Sequence, residues 1–246
     1  MFAPERRTRR IALISTFAVL STVLDIIVTP SLSAGVWFGW IFVVSPINGL
    51  ILGPMDGFIT TLISVLLGHS LVFRDSVYEF LFTLGAPICS LVTGFLVRGE
   101  WRKVFVYYTA VIAAYFLDPL SRVLPFWGMW DTLLAYSALI FFIILKGSVS
   151  INIRLKQGYL YALYTFLGLE ADVLFRIFVL VPCQAYSIFY GLTPEALVFV
   201  WSVPAPIITP IKIAFSSALS LFLVPAILRT LQTRDSIRIQ VNQNEE

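Results

Sequence analysis

Long apolar stretches separated by short polar or charged segments dominate the pattern along this chain. A helix needs about 20 mainly apolar residues to cross a bilayer, with a lower limit near 17. The pattern predicts eight such spans, of which the third, fifth and sixth are short: Ile11–Val28, Val36–Leu52, Phe58–Phe73, Tyr78–Val97, Val104–Leu117, Trp130–Leu145, Tyr159–Val181 and Ala196–Leu228. We therefore predict an all-α fold, a polytopic membrane helical bundle of about eight transmembrane segments, with residues 1–246 forming a single integral membrane domain.

The first and last stretches need separate interpretation. The N-terminal sequence MFAPERRTRR and the run after it resemble a signal peptide, but the run is too long and no A-x-A cleavage site follows, so we expect a retained first span. The last stretch is too long for one crossing and contains Pro204, Pro206 and Pro210, each of which removes a backbone donor. It predicts an irregular outer portion followed by a helix from about Ile207 to Leu228.

The positions of the basic residues indicate the orientation of these spans. With the N-terminus in the cytoplasm, thirteen of the seventeen Lys and Arg residues fall in cytoplasmic segments, as the positive-inside rule requires. The outer loops contain Arg74 and Arg122, while Arg176 and Lys212 lie within spans. The chain is therefore expected to be a multi-pass protein of the cell membrane with both termini cytoplasmic.

Composition supports a membrane protein and weakens the case for an enzyme. The chain is 59% hydrophobic and 13% charged, whereas a soluble domain is about 45–50% apolar and about 25% charged. Two cysteines, Cys89 and Cys183, indicate no disulfide framework, and the single histidine, His69, disfavours a His-rich metal site. No nucleotide-binding loop or hydrolase motif occurs in the sequence. We expect no enzymatic activity, no cofactor, no metal and no nucleic-acid partner.

Ionisable side chains within the spans are the candidates for function. Each costs about 2.5–3.5 kcal/mol on insertion scales, so it is a functional candidate by default. In the orientation above, most of these groups collect in the outer half of the membrane, whereas an ion pathway would place polar residues at several depths. The distribution predicts a pocket open to the outside. The predicted substrate-binding residues, including two tryptophans near the outer interface, are Asp25, Trp37, Trp40, Asp118, Glu170, Arg176 and Lys212.

Each of these residues also has a structural interpretation. Arg176 can pair with the acid four residues before it on the same helix, and Lys212 can extend its amine towards the outer interface. Asp25 and Asp118 can be interfacial residues in contact with water, and each tryptophan can anchor the belt at the interface. Glu170 has no partner three or four residues away, which makes it the strongest candidate for a ligand contact.

Three glycines in residues 48–70, NGLILGPMDGFITTLISVLLGHS, predict a tight turn between closely packed helices. Gly49, Gly53 and Gly57 share one helix face, a spacing that lets helices approach closely in lipid. Gly53 and the following Pro54 also read as a turn. Both features are satisfied if two helices meet at an inner turn with their backbones close together.

The same stretch resembles the substrate-binding S-component of energy-coupling factor (ECF) transporters. The resemblance includes the short second span, the G-P-x-x-G turn, the span Tyr78–Val97 with its RGEWRK loop, and the proline-bearing C-terminal segment. It covers roughly residues 10–117 and 186–230. The family has six helices, so residues 118–185 are expected to be an inserted helix pair next to a six-helix core.

The resemblance implies a function and a set of partners. An S-component captures a vitamin or related micronutrient in an outer-half pocket, over which the loop at residues 31–39 would close. A transmembrane coupling subunit and two ATPase subunits, on separate chains, drive uptake. Small residues of the first helix dock on the coupling subunit, and the nearest equivalents are Ala12 with Thr16 and Ala18 with Thr22. The family has alanine at both positions, and ordinary helix packing is the alternative.

Three other functions remain open at the level of sequence. An autonomous eight-span secondary transporter would need polar groups at mid-depth and in the inner half of the membrane. A membrane enzyme acting on lipid-linked substrates would need acids, histidines or metal ligands clustered at one interface. A structural subunit would need neither feature. The sequence does not name the substrate.

Overall fold

A computed structural model describes residues 4–27, 37, 39–72, 79–148, 157–203 and 205–244. These residues form helices and no β-strand, which confirms the all-α prediction. The loop predicted to close over the pocket, residues 31–39, lies outside the described residues except for Trp37 and Gly39. The α-helices are α1 (Pro4–Ile26), α2 (Ile41–Leu52), α3 (Pro54–Leu71), α4 (Glu79–Thr83), α5 (Gly85–Val97), α6 (Trp101–Leu117), α7 (Trp130–Ser148), α8 (Gln157–Leu180), α9 (Ala185–Ile188), α10 (Pro194–Ser202) and α11 (Ala205–Asn244).

Each predicted span contains a helix, but two of them are divided. The fourth is split at Leu84 into α4 and α5, and the last is split into α10 and α11. The N-terminal part of the last span is therefore more regular than expected. Pro206 lies in the first turn of α11, where its missing N–H has no partner within the helix, and α11 continues through Pro210 and past the predicted end at Leu228.

Within the part of the chain that the structure describes, two helical segments are long and apolar enough to cross a membrane, Phe126–Leu145 and Ala205–Leu231. Ile41–Leu52 and Leu81–Val97 are apolar but shorter. A helix of the length of α2, 12 residues, rises about 18 Å at 1.5 Å per residue, against a hydrocarbon core of about 30 Å. The bundle is thus confirmed as helical with two membrane-capable helices, and the count of eight spans stays a prediction.

The bundle has polar groups inside and apolar side chains outside. Asp25, Asp172 and Lys212 are buried, whereas Leu117 is 83% exposed and Phe222 is 70% exposed. In water-soluble proteins, charged side chains are almost never fully buried, and large exposed apolar patches mark contact with a partner or a membrane. The outer surface of this bundle therefore fits an apolar environment.

Glycine contacts bring α2 and α3 together, as the sequence predicted, and they also bring α5 against the start of α3. A Cβ added to Gly57 would lie 2.7 Å from the Cα of Gly49, and a Cβ added to Gly94 would lie 2.4 Å from the Cα of Pro54. Gly53 joins α2 to α3 with a φ of 85°, a backbone conformation that favours glycine. The prediction of a tight turn between closely packed helices is confirmed.

A buried chain of side-chain hydrogen bonds connects the same helices to α1. Asn48 Nδ2 on α2 donates to Ser21 Oγ at 3.0 Å and to Thr61 Oγ1 at 2.9 Å. Thr61 and Ser90 hydroxyls are 2.6 Å apart, and Ser90 Oγ donates to the carbonyl oxygen of Ser45 at 2.6 Å. Such bonds between polar side chains hold helices together where the surroundings are apolar, so this network fixes the relative positions of α1, α2, α3 and α5.

Replacing Gly94 with Ala is predicted to destabilise the protein. The new methyl group would lie within 2.4 Å of the backbone of Pro54, which can move only with α3. Overpacking of this kind costs about 1–3 kcal/mol. Thermal unfolding of the purified protein in detergent should therefore show a lower Tm for Gly94→Ala. Ala110→Leu, which adds apolar bulk on the exposed face of α6, should leave the Tm near that of the wild type; equal Tm values for all three proteins would contradict the close contact.

Candidate functional site

A cavity of about 350 Å³ lies where several helix ends meet at one end of the bundle. Its ionisable lining includes Asp25 at the end of α1, His69 at the end of α3, Asp131 at the start of α7 and Arg176 near the end of α8. Thr209 near the start of α11 also lines it. The volume is within the range of small-molecule sites, about 300–1,000 Å³. The alternating directions of the helices bring residues that are distant in sequence to a single site.

Trp37 connects three of the charged residues at this end of the bundle. Its indole Nε1 donates to Asp172 Oδ2 at 2.7 Å, and its backbone carbonyl accepts a hydrogen bond from Lys212 Nζ at 2.5 Å. The guanidinium carbon of Arg176 lies 5.7 Å from the centre of a Trp37 ring, within the range of a cation–π interaction. Trp37 is 2% exposed. Trp37, which precedes α2 in the chain, therefore joins α8 to α11 and forms part of the cavity wall.

Asp172 and Arg176 form an ion pair along α8. Arg176 Nε donates to Asp172 Oδ1 at 2.6 Å, and Nη2 lies 3.5 Å from Oδ2. The pairing of Arg176 with the acid four residues earlier, considered from the sequence, is present. Gly85 makes room for it, because a Cβ at that position would lie 1.8 Å from Asp172 Oδ1. Asp172 is fully buried, while Arg176 reaches the cavity.

Asp25, His69 and Thr83 form a second polar group on the cavity wall. His69 Nδ1 lies 2.9 Å from Asp25 Oδ2 and 3.0 Å from the carbonyl oxygen of Val65, and His69 Nε2 lies 2.9 Å from Thr83 Oγ1. Gly68 allows the carboxylate to approach α3, because a Cβ there would lie 2.4 Å from Asp25 Oδ2. The imidazole is thus held between a carboxylate at one ring nitrogen and a hydroxyl at the other.

Sequence reasoning considered His69 only as a metal ligand and missed this contact. The available signal was position, since His69 and Asp25 lie at the outer ends of two predicted spans. The structure therefore brings an acid and a histidine together at one end of the bundle, a cluster that the sequence did not predict. Among the described residues, no group of three or more His, Cys, Asp and Glu could hold a metal ion.

Asp25, Trp37 and Arg176 are the predicted site residues that line the cavity. Lys212 lies behind the wall: it is fully buried, and its Nζ lies 5.9 Å from the centre of the Phe42 ring. It does not extend its amine to the outer interface, because that amine is bonded to the Trp37 carbonyl.

Glu170, Asp118 and Trp40 do not line the cavity. Glu170 is fully buried, and its Oε2 accepts a hydrogen bond from Thr132 Oγ1 at 3.2 Å. Asp118 Oδ1 accepts the backbone N–H of Leu120 at 2.8 Å and so caps the 3-10 turn Pro119–Arg122. Trp40 stacks on Phe42 with ring centres 6.0 Å apart. In the structure, therefore, Glu170 bonds to Thr132, Asp118 caps a turn and Trp40 packs on Phe42.

Asp131, Trp201 and Thr209 line the cavity but were missed. Asp131 is 4% exposed, and its Oδ1 accepts the backbone N–H of Thr132 at 2.9 Å. Trp201 stacks on Tyr115 with ring centres 5.8 Å apart and an interplanar angle of 1°. Trp201 Nε1 and Thr209 Oγ1 are buried and have no hydrogen-bond partner among the described residues. No spacing signal in the sequence points to these residues, because helices far apart in the chain bring them together.

The two proposed docking pairs on α1 lie in different environments. Ala12 and Thr16 are exposed on the helix surface. Ala18 and Thr22 are buried, and Thr22 Oγ1 lies 3.4 Å from the carbonyl oxygen of Ser64 on α3. The second pair therefore packs inside the bundle, as the helix-packing alternative describes, and a partner could reach only the first pair in this conformation.

Comparison with protein-family models, with curated proteins and with solved structures finds no match for this chain.

A double-mutant cycle is predicted to show coupling between Trp37 and Asp172. Trp37→Phe removes the indole donor, and Asp172→Asn removes the charge that pairs with Arg176. Loss of one partner from a buried ion pair costs about 3–5 kcal/mol, and contacting residues show coupling energies of about 0.5–3 kcal/mol. The double variant should lose less stability than the sum of the two single losses in equilibrium unfolding in detergent.

The matched control combines Trp40→Phe with Asp172→Asn. Trp40 packs on Phe42 and Phe215, so the two losses of stability should add. Additive losses in the Trp37 cycle would show that the indole does not support the carboxylate.

Proposed function

We propose that this protein is the substrate-binding membrane subunit of an ATP-driven uptake transporter. It captures a small, vitamin-like molecule in the cavity and works with a transmembrane coupling subunit and two ATPase subunits on separate chains. The observation that carries the proposal is the cavity itself, in which aromatic rings, Arg176, Asp25 and Asp131 meet at one end of a helical bundle. The resemblance of the sequence to ECF S-components supplies the partners.

In this proposal the eight helical segments cross the membrane, and the cavity end faces outwards. The opposite end carries basic residues of the segments predicted to be cytoplasmic. Arg10 of α1 pairs with Asp56 at the start of α3, and its Nε donates to Asp56 Oδ2 at 2.6 Å. Arg98, after α5, lies near the turn at Gly53. Basic residues concentrate on the cytoplasmic side of membrane proteins. The short α2 is compatible with this arrangement, because non-helical backbone is tolerated at membrane depth where protein surrounds it.

The base beneath the cavity supports a subunit that needs partners to release its substrate. The bonds of Asn48, Thr61 and Ser90 and the backbone contacts of Gly57 and Gly94 join four helices below the cavity. Opening a route through this base would require separating backbones that are in contact. Reorientation of the whole subunit by partner ATPases, as the resemblance implies, avoids that separation.

An autonomous secondary transporter is the second candidate, and one observation favours it. Asn48, Thr61 and Ser90 place polar groups at mid-depth, and Glu170 is fully buried, so polarity extends below the cavity. These hydroxyl and amide groups bond to one another, which is the arrangement expected of helix packing. The capture function therefore explains better than a secondary transporter why several ionisable groups line the cavity.

Filling the cavity is predicted to abolish capture. The purified wild-type protein should retain a small molecule at one equivalent, which mass spectrometry of the extracted ligand would identify. Ala205→Phe places a ring in the cavity wall on α11, so the molecule should be lost. Ala226→Phe introduces the same ring on an exposed position of the same helix and should retain it.

Two results would count against the proposal. A wild-type protein that carries no stoichiometric compound, and binds none, would contradict capture. Uptake of the identified compound into liposomes by this chain alone, without ATP or partners, would establish the secondary transporter in its place.

A further inference from the structure

We propose that the captured molecule is an organic cation, held by the carboxylate of Asp131 and by the aromatic walls of the cavity; this inference rests on the capture function proposed above. The ligand also carries a hydrogen-bond acceptor for Trp201. The charge of the ligand follows from which ionisable groups at the cavity already have a partner in the protein and which one does not.

Two of the ionisable groups on the wall contact a basic or acidic partner within the protein. Asp25 Oδ2 lies 2.9 Å from Nδ1 of the basic side chain His69. Arg176 is paired with Asp172 at 2.6 Å, and its guanidinium lies over Trp37. The positive charge of Arg176 is therefore already balanced by a buried carboxylate, so it offers little attraction to an anionic ligand.

Asp131 is the acid on the wall without a basic partner among the described residues. It accepts the backbone N–H of Thr132 at 2.9 Å, and its other hydrogen bonds come from its own backbone N–H and from the Thr132 side chain. A second acid, Glu170, lies near Asp131; it is fully buried and accepts a hydrogen bond from the Thr132 hydroxyl at 3.2 Å. A buried carboxylate is costly unless a cation compensates it, and a positively charged ligand would provide that compensation.

Aromatic side chains on the wall suit a cation of low hydration. Phe82, Tyr190 and Trp201 line the cavity, as does Trp37, whose ring already contacts the Arg176 guanidinium. The faces of such rings attract cations within about 6 Å, most strongly when water is excluded. Quaternary ammonium and similar organic cations are recognised in this way, whereas a strongly hydrated metal ion would not match these walls.

Two unpartnered polar atoms specify a further feature of the ligand. Trp201 is 3% exposed and Thr209 is 1% exposed, and within the described part of the chain neither Trp201 Nε1 nor Thr209 Oγ1 has a hydrogen-bond partner. Both residues line the cavity. An indole N–H can only donate, so the ligand supplies a hydroxyl, carbonyl or ring-nitrogen acceptor in addition to its positive charge.

The test compares three probes of similar size that differ in charge. Isothermal titration calorimetry on the full chain in detergent, after the copurified molecule is exchanged out, would use 3-hydroxyphenyltrimethylammonium, its neutral isostere 3-tert-butylphenol, and 3-hydroxybenzenesulfonate. We expect the cation to bind at one site with a Kd about tenfold or more below that of the neutral phenol. Asp131→Asn should remove this advantage and leave the affinity for the phenol unchanged.

Asp118→Asn is the matched control, because Asp118 ends α6 and caps the 3-10 turn without lining the cavity. Its affinity for the cation should equal that of the wild type. The comparison of the three probes on the wild type tests the inference even if Asp131→Asn does not fold.

Two outcomes would overturn the inference of a cationic ligand. One is that the sulfonate or the phenol binds more tightly than the cation. The other is that Asp131→Asn leaves the affinity for the cation unchanged. If one of the three probes binds in such a case and Ala205→Phe blocks that binding, the capture function stands while the inference of a cationic ligand fails. If no probe binds and no molecule copurifies, both proposals fail.

Discussion

Burial of charge in apolar surroundings is the constraint on which this structure depends. Asp172 and Lys212 are fully buried, and an unpaired charge in such a place would cost several kcal/mol. Trp37 supplies an indole N–H to the acid and a carbonyl oxygen to the amine. Since these two residues lie on α8 and α11, the requirement to satisfy them fixes both helices against the chain segment before α2.

The cavity follows from this arrangement and from the glycines. Backbone contacts at Gly57 and Gly94 bring α2, α3 and α5 together at the opposite end of the bundle, while side chains such as those of Trp37 and Arg176 occupy the space at the cavity end. Gly85 and Gly68 provide room for the carboxylates of Asp172 and Asp25. Small residues thus determine where the bundle is tightly packed and where polar groups can be accommodated.

The sequence predicted the helical segments and the glycine turn because both depend on local patterns, namely runs of apolar residues and spacing along one helix. It also predicted that Asp25, Trp37 and Arg176 belong to one site, since a charge in an apolar run is visible without a structure. The contacts of His69 and Asp131 could not be predicted, because they depend on which helices become neighbours. Glu170 was ranked highly for lacking a local partner, yet its hydrogen bond comes from Thr132 on another helix.

The account depends most on the cavity end of the bundle facing the outside of the cell, and the two native cysteines allow a direct measurement. Cys183, just after α8 at the cavity end, is exposed, and Cys89 is buried. A membrane-impermeant maleimide added to intact cells should label the wild-type protein, and Cys183→Ser should abolish the label. Labelling of Cys183 only after the cytoplasmic side is made accessible would contradict the account.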